Sequence, residues 1–78
     1  MPTYFFDYLE GPKHQIDTEG SILENLTSAR QQALLTLRDA VADATSRQGL
    51  GDLAITVRDH NNHTVIRAAI NWSVLAVS

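Results

Sequence analysis

The sequence has no cysteine, so disulfides, thiolate catalysis and cysteine-ligated zinc or iron–sulfur sites are excluded. Basic residues are few, with six Lys plus Arg against nine Asp plus Glu and a net charge of −3. They are also scattered, which argues against the basic face that a nucleic-acid footprint needs. No apolar run approaches the roughly 20 residues of a membrane-spanning helix. The opening MPTYFFDYLEG lacks the basic start and longer apolar core of a signal peptide, so a cytoplasmic protein is expected. Catalytic signatures are missing as well. Ser, His and Asp all occur, but nothing resembles a nucleophile elbow or a nucleotide-binding loop. Asp7, Glu10, Asp17 and Glu19 crowd the first quarter of the chain without the alternating spacing and closing Glu of a calcium loop, and read as turn and edge residues. Neither an enzyme nor a cofactor is expected.

What is present is one small domain. Its 78 residues, 44% of them hydrophobic, lie near the size at which a single core barely offsets chain entropy. A chain this short, with no disulfide and no evident metal site, often completes its burial against a partner, commonly a second copy of itself.

One long helix is expected over residues 25–48. Leu26, Ala29, Ala33, Leu37, Ala40 and Ala44 fall along one line at the α-helical period, and Leu34 and Val41 widen the stripe. Asn25 can cap the free amides of the first turn. Arg47, pairing with Asp43 one turn earlier, and then Gly49 and Gly51 mark the far end. Alanine dominates the stripe, so a sheet bearing large side chains can approach the helix axis closely.

Short β-structure is expected on both sides of this helix. Residues 3–9 alternate, placing Tyr4, Phe6 and Tyr8 on one face. After a turn at Glu10-Gly11-Pro12, residues 13–17 can return as a second strand. Asp17 to Gly20 breaks the chain, and Ile22 or Leu23 tucks beneath the start of the helix. Residues 53–59 and 64–72 form a second hairpin. A two-residue turn at Asn61-Asn62 sets Val57 opposite Ile66, Ile55 opposite Ala68 and Leu53 opposite Ile70, matching the buried rows. A three-residue loop instead sets Arg67 opposite Ile55. The expected fold is α+β, a two-layer sandwich in ββαββ order whose four-stranded, mainly antiparallel sheet carries the helix on one face. The short apolar tail, Ser73 to Ser78, is either frayed or laid on a partner.

In this order the residues resemble a family of short, uncharacterised bacterial proteins grouped as a domain of unknown function. Tyr4-Phe5-Phe6, Gly11, Asp17-x-x-Gly20, Leu23, Leu26-x-x-Ala29 with Ala33, and Val57-x-Asp59 carry the resemblance. Asn62 stands where such sequences usually have glycine. The resemblance implies the order of elements and brings no activity, substrate or catalytic residue. The stretch from Gly20 to Ala33 is also similar to the HicB-like group of small antitoxins.

Three functional readings follow. The sheet face away from the helix carries Phe5, Asp7, Leu9, Ala54, Thr56, Arg58, Val65, Arg67, Ala69 and Asn71, too apolar for a fully wetted surface, with Phe5, Leu9, Arg58, Val65, Arg67 and Ala69 as its contact candidates. It is read as a partner-binding face, and self-association as a homodimer in a binding or regulatory module is the leading expectation. The same face, with Phe5 near Arg58 and Arg67, offers single-stranded nucleic-acid binding as an alternative. The third is weak metal binding through His60 and His63, which the two-residue turn sets facing each other with Asp59 on the opposite face. His14 is a conceivable third ligand, and a polar hairpin tip is the plain alternative.

Overall fold

The computed structural model describes residues 1–45 and 50–73. The elements are β1 (Thr3–Glu10), β2 (Lys13–Gln15), β3 (Ser21–Ile22), α1 (Leu26–Thr45), β4 (Leu50–Arg58) and β5 (Thr64–Ser73). They build an antiparallel sheet in the order β2-β1-β4-β5, with β3 also paired to β1, and α1 packs on one face over β4 and β5. This is the expected α+β sandwich, with an added two-residue strand and a second strand that ends at Gln15. Among the described residues no helix is long and apolar enough to cross a membrane.

Local chemistry accounts for the elements. Asn25 caps α1, its Oδ1 accepting from the Ser28 N–H at 2.9 Å while its carbonyl accepts the first helical bond from Ala29. Ala29, Ala33 and Ala44 are fully buried, and their small side chains bring the helix close above Leu53, Ile55 and Val57 of the central strand β4. Tyr4 and Leu37 complete the buried set, with Phe6, Tyr8, Ile66, Ala68 and Trp72 packed around it. Two expected core positions fall outside it. Leu26 lies mid-stripe by angle yet is 48% exposed, because it is the first helical residue, and Leu23 packs on the core nearby. Leu34, at the margin of the stripe, is 44% exposed. The expected helix positions 46–48, the Asp43–Arg47 pair, the Gly49 stop and the tail 74–78 lie outside the described residues.

The β4–β5 register is Leu53↔Ile70, Ile55↔Ala68 and Val57↔Ile66, as the alternation requires. The turn is not the expected two-residue one. The Asp59 N–H donates to the His63 carbonyl, and the Asn62 N–H donates to the Asp59 carbonyl, enclosing a three-residue loop with Asn62 at φ +65°. A β-bulge reconciles the longer loop with the buried rows. Arg58 pairs with Thr64 while Val57 pairs with Ile66, so the register skips Val65.

Candidate functional site

The polar centre of the molecule lies on the sheet face opposite the helix. Residues 13–22 run antiparallel to β1, but the two short ladders on either side of Asp17 do not share one register. Tyr8 pairs with Gln15, whereas Tyr4 pairs with Ser21. The extra residues between them bulge out, and the Phe6 N–H would be left without a strand carbonyl. Asp17 Oδ2 accepts from it at 3.0 Å, so a carboxylate replaces the missing ladder partner. Asp17 Oδ1 accepts from the amides of Glu19 and Gly20, closing the loop on itself.

Asp7 and Arg58 fasten this loop to the sheet. Arg58 grips Asp7 in a bidentate pair, Nε to Oδ2 at 2.7 Å and Nη2 to Oδ1 at 3.0 Å. Nη2 also donates to the Asp17 carbonyl at 2.9 Å, and Nη1 donates to Asn62 Oδ1 at 2.8 Å. The Asp17 N–H returns a bond to Asp7 Oδ1 at 3.0 Å. The guanidinium carbon lies 5.1 Å from the centre of the Phe5 ring. One arginine thereby ties together β1, the loop after β2, β4 and the β4–β5 turn.

Electrostatics favour the ionised pair. Burial raises the pKa of Asp7, but the Arg58 hydrogen bonds and charge, with the Asp17 amide, outweigh it and leave the carboxyl below its ordinary 3.8. Asp17 is held below the same value chiefly by the amides of Gly20 and Phe6. Arg58 is raised, first by its hydrogen bonds to Asp7. No buried side-chain nitrogen or oxygen among the described residues lacks a partner. Both carboxylates are held in the charged form and accept hydrogen bonds on both oxygens, which suits a clasp.

The sequence-derived candidates divide accordingly. Phe5 and Leu9 are half-buried, Arg58 is turned into the clasp with a side chain only 21% exposed, and Val65, Arg67 and Ala69 are exposed. Of the early carboxylates, Asp7 and Asp17 come together. Glu19 contributes only its amide, and Glu10 accepts from the Tyr8 hydroxyl at 3.3 Å. A hollow of about 210 Å³, lined in part by Leu9, Asp52, Ala54, Arg67 and Asn71 and by none of the clasp residues, opens further along the sheet, smaller than the usual small-molecule pocket.

The histidines sit differently from expectation. His60 lies within the loop and His63 at its end, both exposed. Asp59 does not point away from them. Its Oδ1 accepts from the amides of Asn61 and His63, and its Oδ2 lies 4.0 Å from His63 Nδ1. The three-residue loop turns Asp59 inward as a turn cap, and those amides keep its pKa low. His14 is opposite Leu9, which is itself opposite Ala54, well down the sheet from the hairpin tip. Among the described residues no three His, Asp or Glu side chains gather as metal ligands.

Sequence reasoning missed the clasp and the long outer edge made by β5, ten residues that among the described residues pair on one side only. Opposite charges at Asp7 and Arg58 were a signal for the first, usable only once β1 and β4 are known to be neighbours. No match was found among the curated proteins or the solved structures. Residues 3–71 match the model of the family described as Domain of unknown function (DUF6894), and the chain belongs to that family.

Proposed function

We propose that this domain is a non-enzymatic, cytoplasmic binding module that works through self-association, as a homodimer. The observation that carries the reading is how exposed side chains are distributed. Asp7 of β1 and Arg58 of β4 are spent on each other in the clasp, whereas the β5 side keeps apolar surface in water. Val65 is 37% exposed, with Arg67 and Ala69 exposed on the face away from the helix, and Ile70 is 38% exposed on the helix side of the same strand. The partner surface is therefore Val65, Arg67 and Ala69, with Phe5, Leu9 and Arg58 behind it as a rigid backing. A core of this size gains from covering such a surface.

Sedimentation velocity on the full chain, from low micromolar to near-millimolar concentration, tests the reading. The expected result is a concentration-dependent passage from monomer to dimer. A single monomeric species over the whole range overturns it.

A further inference from the structure

We infer that the dimer forms by antiparallel pairing of β5 with β5 of a second copy, about a two-fold axis at Ala69, with Arg67 of each chain reaching Asp52 of the other. The inference rests on the self-association proposed above and names its surface.

The two edges of the sheet are not equivalent. The β2/β3 edge is short and broken by the bulging Asp17 loop, two features that discourage strand addition. β5 runs for ten residues, its bulge confined to the Val65 end and its only formal charge at Arg67. From Ala68 to Ser73 it carries no proline, charged side chain or bulge. A two-fold axis makes the contact self-complementary and keeps helix-side residues level with helix-side residues.

Charge then selects the position of the axis. An axis at Arg67 sets two guanidiniums side by side, which is repulsive. An axis at Ala69 sets Arg67 opposite Asn71 of the second copy, and Asn71 is itself paired with Asp52 on β4. Arg67, Asn71 and Asp52 then form one row on the face away from the helix, spanning two strand spacings, about 10 Å between the outer backbones. A long arginine and a carboxylate together cover that distance. The Arg67 and Asp52 side chains are exposed and make no hydrogen bond or salt bridge among the described residues of one chain, so pairing supplies each with a partner, twice per dimer. On the helix side the same axis sets Ile70 against Ala68 and Ile66 against Trp72, covering the half-exposed Ile70.

Sedimentation equilibrium on the full chain and its variants tests this, with far-UV circular dichroism confirming the fold. Ala69→Lys puts two ammonium groups on the axis and should raise the dimer Kd about tenfold or more. Arg67→Glu and Asp52→Arg should each weaken the dimer, and the double variant Arg67→Glu/Asp52→Arg should return Kd to within about threefold of the starting value. All three positions are exposed, so the variants should fold, and the charge swap decides the matter without Ala69→Lys if that chain does not. An unchanged dimer in Ala69→Lys and Arg67→Glu, or no recovery in the double variant, overturns the β5 interface and leaves self-association through another surface. A starting chain that stays monomeric overturns both.

Discussion

Replacing Asp7 with alanine is expected to destabilise the domain by about 2–4 kcal/mol, from just below to the lower part of the roughly 3–5 kcal/mol for breaking a buried ion pair. The lower part applies because Arg58 keeps two acceptors, the Asp17 carbonyl and Asn62 Oδ1, and is about one-fifth exposed. Set against a total of roughly 4–12 kcal/mol for a chain of this length, the loss is severe. It corresponds to a fall in Tm on the order of 10–30 °C. The damage should also be directional. Removing the carboxylate frees the Asp17 amide and loosens the loop that supplies the missing bond to Phe6. Chemical denaturation measures the loss, and a change below about 1 kcal/mol would place the pair among ordinary surface salt bridges.

The same groups set the acid limit of the fold. Asp7 and Asp17 have folded pKa values below their ordinary 3.8, so the unfolded chain binds protons more readily than the folded one. Their contribution is fully present above that value and is lost as pH falls through the depressed folded values. Stability should be flat from neutral pH to about pH 5 and decline below about pH 4. Asp7→Ala should flatten the acid limb while lowering the plateau.

The second large effect is at Gly20. Its φ is +76°, and a Cβ there would stand 2.8 Å from Thr3 Cγ2 and 2.9 Å from Phe5 Cε1. Gly20→Ala therefore combines left-handed strain of about 1–2 kcal/mol with a forced shift of the Phe5 ring that lies under Arg58, for a total of about 2–4 kcal/mol. Gly11 supplies the control. It has φ +58°, and a Cβ there would meet nothing within 4 Å, so Gly11→Ala should cost only the strain, about 1–2 kcal/mol. Equal losses at the two sites, compared by thermal unfolding, would mean that the Gly20 contact is of no consequence.

These sites also show what the sequence can and cannot disclose. The buried rows of β4 and β5 are legible because Leu53, Ile55 and Val57 must face Ile66, Ala68 and Ile70 whatever the turn does. The turn itself is not, because a bulge at Val65 lets a three-residue loop satisfy the same rows. The helix is legible from its alanine stripe and Asn25 cap, but the exposure of Leu26 depends on how far the sheet extends beneath the first turn. The clasp is least legible of all. Asp17 looks locally like a turn residue, and it is one, yet its carbonyl and amide serve Arg58 and Asp7. Asp7 and Arg58 are far apart in sequence, and they meet only because β4 crosses over to lie beside β1. Local patterning carries no information on that crossing. The outer edge at β5 depends on the same strand order.

Amide hydrogen exchange followed by NMR, at one concentration where the chain is monomeric and one where it is associated, tests the proposed assembly most directly. Pairing through β5 should slow exchange at the amides of Arg67–Asn71 that face away from β4, and leave Lys13–Gln15 on the opposite edge unchanged. Slower exchange at Lys13–Gln15 or along α1, with the Arg67–Asn71 amides unaffected, would contradict it.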